Sequence, residues 1–206
     1  MRKVDPVKHE EKRAEILAAA ERCFARSGFH GATIAQICDE AGISPGHLYH
    51  YFASKEAIIG AITSAGLEYV KARFAEVTED QDPIGALVSE FERLKALNRT
   101  KSGVLIDVLA EAARNPEIGK ILQDTSEDMR RLLAEFLRRG QVRGQIDPDL
   151  DAGMSSALLI SMIDSSKTLL IRAPNIDPTR SADVLDKMIT RFLSPPVPAP
   201  GSEGAG

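Results

Sequence analysis

Thr33 to Lys55 reads T-I-A-Q-I-C-D-E-A-G-I-S-P-G-H-L-Y-H-Y-F-A-S-K, two short helical patterns joined by a tight turn. Thr33 can cap the first helix, and Gln36 three residues on completes a capping box. Ile34, Ile37, Cys38 and Ala41 form a one-sided apolar stripe at helical spacing. Gly42 stops that helix, because glycine takes the left-handed conformation without a Cβ penalty. Ser44 caps the second helix, and Pro45 fits its first turn, where a missing N–H costs nothing. Leu48 and Phe52 fall on the inner face, which leaves His47, Tyr49, His50 and Tyr51 to point elsewhere. So short a turn between two helices predicts a helix-turn-helix.

A solvated helix rarely displays two tyrosines and two histidines in five positions. Such rings offer donors to phosphates and flat apolar faces to base edges and thymine methyls. The alternative is that some of them, Tyr51 in particular, pack against a neighbouring helix.

Several separated blocks carry a resemblance to the tetracycline-repressor (TetR) family of transcriptional regulators. They are I-L-A-A-A-E-R-C-F-A-R-S-G-F (Ile16 to Phe29), G-A-T-I-A-Q-I (Gly31 to Ile37), A-G-I-S (Ala41 to Ser44), L-Y-H-Y-F (Leu48 to Phe52) and S-K-E (Ser54 to Glu56). L-A-E-A-A-R-N-P-E-I (Leu109 to Ile118) further resembles AcrR-like members. The resemblance implies an all-α chain of about nine helices, with a three-helix DNA-binding domain over residues 10–56. A helical ligand-binding and dimerisation domain would follow over 57–194. It also implies a homodimeric repressor, released from a palindromic double-stranded operator by an unidentified small-molecule effector. The DNA-contacting set would be Thr33, Ser44, Pro45, Gly46, His47, Tyr49, His50, Tyr51 and Lys55. A lysine in the first turn of a helix is mildly unfavourable, and the resemblance assigns Lys55 a phosphate that would offset this. Many members carry Lys or Arg early in the recognition helix, where this chain has Pro45 and Gly46.

At 206 residues and 43% hydrophobic, the chain can bury a sizeable core. Tryptophan is absent, strand-like runs are scarce, and Ala and Leu recur at helical periods, so it reads all-α. No apolar segment approaches the ~20 residues needed to span a bilayer, and the N-terminus lacks a secretory pattern. A cytoplasmic protein is expected. A net charge of −4 argues against a generic nucleic-acid coat. The first 56 residues, however, balance eight Lys/Arg with eight Asp/Glu and hold all four histidines. The basic arm Arg2 to Arg13 is either a source of phosphate contacts or a solvated tail. Cys23 and Cys38 read as two small buried hydrophobes or as a redox pair, and they lack zinc spacing. No metal or cofactor is called for.

Asp82-Pro83, Asn115-Pro116, Asp147-Pro148 and Asp177-Pro178 each place a capping residue before a proline at N1, and each predicts a helix start. Gly140 is expected to stop the long helix from Glu117, and helix 1 is expected over about Glu10 to Ala25. Apolar content rises after Glu56, and the helix there leaves the first domain without a flexible linker. On the penultimate helix, Met154, Ala157, Leu158, Ser161, Met162, Ser165 and Leu169 form an apolar and small-residue stripe. On the last one, Val184, Leu185, Met188, Ile189 and Phe192 form its partner. Across a two-fold axis these stripes would build a four-helix bundle; otherwise they are internal core. The effector is expected against Phe74, Phe91, Leu94, Leu105, Leu109, Met129 and Leu133, with Asp107 or Asp128 as polar anchors, in a mostly apolar pocket. The tail over 195–206, rich in Pro and Gly, is expected to be disordered.

Two other functions compete. An enzyme is disfavoured by the lack of a Gly-rich phosphate loop, a metal-spaced cluster or a G-x-S-x-G elbow. A helical sensor that has lost DNA binding is disfavoured by the retained Tyr49, Tyr51 and Lys55.

Overall fold

An aspartate or asparagine ahead of proline starts four of the helices in the computed structural model, which describes residues 5–77, 82–98 and 102–196. Side chains are described for these residues except 94–98, 102–105, 166–168, 170 and 171. Among the described residues there are nine α-helices and no strand. In chain order they are α1 (Pro6–Gly31), α2 (Ile34–Ala41), α3 (Pro45–Tyr49), α4 (Lys55–Ala75), α5 (Pro83–Asn98), α6 (Ser102–Ala112), α7 (Pro116–Val142), α8 (Ala152–Arg172) and α9 (Pro178–Leu193).

The capping oxygens act as the physics of unpaired N–H groups requires. Asp82 Oδ1 accepts from the Ile84 N–H at 2.9 Å, Asn115 Oδ1 from Glu117 at 3.0 Å, and Asp177 Oδ1 from Thr179 at 2.8 Å. A further instance opens α1, where Asp5 Oδ1 accepts from Val7 at 3.1 Å and Pro6 takes the first helical position. From Pro6 onward the basic arm is therefore helix rather than tail, while residues 1–4 lie outside those described.

Asp147-Pro148 departs from the expectation. Asp147 donates its N–H to the Leu193 carbonyl at 2.9 Å, and Gln141 Nε2 donates to the Asp147 and Leu150 carbonyls. These bonds hold a turn, and Asp151 caps α8 instead, accepting from Met154 at 3.0 Å. Gly140 does not stop α7. A Cβ there would lie 2.5 Å from Ile146 Cδ1, so this glycine permits a close approach, and Gly144 (φ +70°) makes the turn.

The chain packs as two compact units, Met1–Ala72 with Leu97–Met129, and Arg73–Ala96 with Arg130–Gly206. This partition cuts across the boundary at residue 56 read from the sequence. The first unit has a core of Ile16, Ala20, Cys23, Phe24 and Phe29 from α1, Ile37 and Cys38 from α2, Leu48 and Phe52 around α3, Ile58 and Ile59 from α4, Val108 from α6 and Ile118 from α7. In the second, Leu87, Phe136, Leu137, Ile146, Leu159, Ile163, Ile189 and Leu193 are buried, and the Phe74 and Phe136 rings stack at 4.7 Å. Burying each such side chain stabilises by about 1.5–3 kcal/mol. No described helix is long and apolar enough to cross a membrane. Of the tail, residues 197–206 lie outside the described set.

Candidate nucleic-acid interface

The reading unit is assembled from local bonds. Thr33 Oγ1 accepts from the Gln36 N–H at 3.2 Å, and Gln36 Oε1 accepts from the Thr33 N–H at 2.8 Å. Gly42 (φ +63°) ends α2, with the Ile43 N–H returning to the Cys38 carbonyl at 3.0 Å. Ser44 Oγ then accepts from the His47 N–H at 3.3 Å, which starts α3. That helix has five residues, fewer than the Ser44 to Phe52 segment invites. Beyond Tyr49 the chain turns, with Tyr51 and Phe52 both donating to the Leu48 carbonyl.

Leu48 (0% exposed) and Phe52 (4%) pin this segment to the core, and Tyr49 between them is 54% exposed. Pro45, Gly46, His47 and His50 are exposed as well. Tyr51 is not a free outward ring. It is half-buried, packs on the first core, and stacks on His9 of α1 with centroids 4.6 Å apart. His9 was not singled out from sequence, although the Asp5-Pro6 cap is the signal that places it on a helix. Thr33 and Ser44 are exposed, but their oxygens are engaged as caps.

The basic residues of this unit mostly fasten it together. Arg22 Nε and Arg26 Nη1, both on α1, grip the two oxygens of Glu40 on α2 at 2.7 and 2.8 Å. Hydrogen bonds from Arg22 and then Arg26 hold the Glu40 carboxyl below the ordinary carboxylate range. Lys55 is likewise engaged inside the protein. Its ammonium donates to the carbonyls of Phe29 (2.7 Å), Ala32 (3.0 Å) and His30 (3.4 Å) and sits 4.5 Å from the Phe29 ring centroid. Those carbonyls offset the unfavourable position at the start of α4. Cys23 and Cys38 are free and buried, and burial pushes both thiols up. Protonated, enclosed thiols are poor nucleophiles. Among the described residues no three His, Cys, Asp or Glu side chains group to hold a metal.

The stripes read on the last two helices split into an inner and an outer face. Met154 (60% exposed), Leu158, Ser161 and Ser165 project from α8, and Val184, Met188 (54%) and Phe192 from α9. Ala157, Met162 and Leu169 are half-buried. Leu185 and Ile189 are corrected: at 8% and 0% exposure they belong to the chain's own core. One residue along a helix turns a side chain by about 100°, so Val184, Met188 and Phe192 leave the core as their neighbours enter it.

The ligand candidates are drawn from both units. Phe74, Phe91 and Leu133 are buried in the second unit. In the first unit, Asp128 and Met129 are half-buried, and Leu109 is exposed. Asp107 is engaged with the backbone of α1, where Oδ2 accepts from the Phe29 N–H at 3.2 Å. The Leu94 and Leu105 side chains lie outside those described. The second unit has a cleft of about 450 Å³ lined by Arg73, Phe74, Val77, Asp82, Glu90 and Arg93 among others. Glu90 is 5% exposed there; Oε2 faces Arg73 Nε at 3.4 Å and Arg93 Nε at 3.7 Å, while Oε1 has no hydrogen-bond partner. Arg73, Glu76, Asp82, Glu90 and Arg93 share this lining with a larger apolar area.

Comparison with known proteins agrees with this architecture. The family model "Bacterial regulatory proteins, tetR family" matches residues 16–62, and "Tetracyclin repressor-like, C-terminal domain" matches residues 74–188. The chain is 35% identical over 150 residues to the HTH-type transcriptional regulator UidR of Escherichia coli (strain K12), covering 73% of this chain and 76% of that one. It is 30% identical over 150 residues to the HTH-type transcriptional repressor KstR2 of Mycobacterium tuberculosis (strain ATCC 25618 / H37Rv), covering 69% and 73%. The solved structure of Salmonella enterica GusR superposes with a TM-score of 0.75 at 28% identity, over 94% of this chain and 99% of that one. With its capped helix-turn-helix and its all-helical architecture, the chain belongs to the TetR family of transcriptional regulators.

Proposed function

We propose that the protein is a homodimeric repressor that holds a palindromic operator and is released by a small molecule. The observation that carries this reading is the exposed set His47 and Tyr49 on α3 and His50 just after it, fixed in place by Leu48 and Phe52 beneath. Its donors and ring faces suit phosphates and base edges. Pro45 and Gly46 bring no side-chain donor, so contacts early in the helix fall to the Gly46 N–H, to water or to His47. The projecting apolar residues of α8 and α9 supply a self-complementary face for a second copy. Two copies would then present α3 to successive major grooves about 34–36 Å apart.

The effector is assigned to the second unit, against the Arg73–Glu90–Arg93 cleft, whose mostly apolar lining around a few charged groups suits a molecule with an apolar body and a polar group. The unbroken α4 has residues in both units and is the element through which occupancy would reach the reading head. Release requires the ligand to favour the non-binding state by several kcal/mol, since equal affinity for both states shifts nothing.

The test is selection of bound sequences from random duplex DNA at fixed salt. Enrichment of an inverted repeat with half-sites one helical turn apart, or a multiple of it, is expected. Recovery of no common sequence would overturn the reading. Titrating a panel of small molecules that join an apolar body to a polar group against the selected duplex then tests the effector.

A further inference from the structure

We propose that Asp107, on α6 and outside the helix-turn-helix, is a positioning residue for DNA reading; this rests on the repressor reading above. Its carboxylate holds the corner of the chain from which α2 is launched. At that corner α1 breaks. Gly28 takes φ +69°, ψ 169°, and the following turn closes with the Ala32 N–H on the Gly28 carbonyl at 3.1 Å. A side chain at Gly28 would be strained by the positive φ, and its Cβ would lie 2.0 Å from Asp107 Oδ2. The glycine thus serves both the bend and the approach of the carboxylate.

The single turn after the bend is held at both ends by side chains from elsewhere in the chain. Asp107 Oδ2 accepts from the Phe29 N–H at its start. Lys55 donates to the Phe29, His30 and Ala32 carbonyls at its end. An anion at the N–H end and a cation at the carbonyl end both match the local backbone dipoles. The Phe29 ring is buried beside Phe24, and Val108, next to Asp107, belongs to the same core, so α6 is packed where its carboxylate can reach. Thr33, one residue beyond the turn, opens α2. The direction of α2 and α3 therefore depends on a joint shared by α1, α4 and α6. Displacement of either α4 or α6 would be felt at one residue, Phe29.

The full-length protein and its selected duplex test this, with fluorescence anisotropy across a salt series and hydrogen exchange of the Phe29 amide. Charge alone makes the opposite forecast from positioning. Removing an anion should tighten binding to DNA if Asp107 acts only through the field. Under the proposal, Asp107→Ala weakens binding about fivefold to tenfold, leaves the salt slope unchanged and speeds Phe29 exchange about tenfold or more. Asp107→Asn, which keeps an acceptor oxygen, stays within about twofold of the wild type on both readouts. Wild-type affinity in Asp107→Ala, or tighter binding in both variants, would overturn the proposal. So would unchanged Phe29 exchange. If Asp107→Ala does not fold, Asp107→Asn decides alone: near-wild-type affinity with a protected Phe29 amide supports the joint, and tighter binding or an unprotected amide sinks it. A wild-type protein that selects no DNA would remove the repressor reading instead, and is distinguishable because Phe29 exchange still reports on the joint.

Discussion

The head formed by α1 to α3 and the α8–α9 pair follow the same rules of apolar spacing, yet only the first could be oriented from sequence. In the head, each decisive contact spans a few residues. Thr33 with Gln36, Gly42 with Cys38, and Ser44 with His47 are fixed once the residue types are known. Leu48 and Tyr49 then take opposite environments. On α9 the apolar residues Val184, Leu185, Met188, Ile189 and Phe192 cover more than one face, and nothing local says which face turns inward. Leu185 and Ile189 enter the core, and Met188 and Phe192 do not. Local chemistry sets where helices start and stop; packing with distant residues sets which way they face.

The largest effect should come from Leu48→Ala, which empties a fully buried site in the head. It should cost about 2–5 kcal/mol in denaturant unfolding. Tyr49→Ala, one residue along, should stay within about 0.5 kcal/mol of the wild type. Equal costs would erase the inner and outer faces assigned to α3.

Next is the outer face of α8 and α9. Met188→Asp buries a charge if that face meets a second copy, and should weaken self-association by roughly a hundredfold or more. Sedimentation velocity at micromolar concentration should then show the mass of one chain. A dimer of undiminished affinity would mean that the projecting apolar residues are not the contact.

Smaller still is the effect of the Arg22–Glu40–Arg26 clamp, which ties α2 to α1. The Glu40 carboxyl is held below its ordinary range, so its contribution is present above the unfolded-state value and is lost as pH falls through the lower folded value. Glu40→Gln should lose stability at neutral pH and show a shallower decline than the wild type as pH falls through and below the ordinary carboxylate range. Identical acid limbs in the two proteins would detach the clamp from stability.

Helix existence, the capping box, the Gly42 stop and the exposed set on α3 were therefore legible in the sequence. The contacts that were not legible share one cause. The carbonyls that Lys55 binds lie 23 to 26 residues away, and the N–H that Asp107 accepts from is 78 residues away. Asp147 accepts from the Asp149 N–H as Asp177 does from Thr179, but Gln141 holds the Asp147 and Leu150 carbonyls and the segment is a turn. Tyr51 finds His9 across the head. None of these pairings leaves a periodic trace.

The most direct test of the central claim, that paired copies of α3 read DNA in the major groove, is methylation protection of guanine N7 on the selected operator. Two protected clusters about one helical turn apart are expected, each weakened when Tyr49→Ala replaces the wild-type protein. Binding with no protected N7 at either half-site, or protection that Tyr49→Ala leaves unchanged, would contradict it.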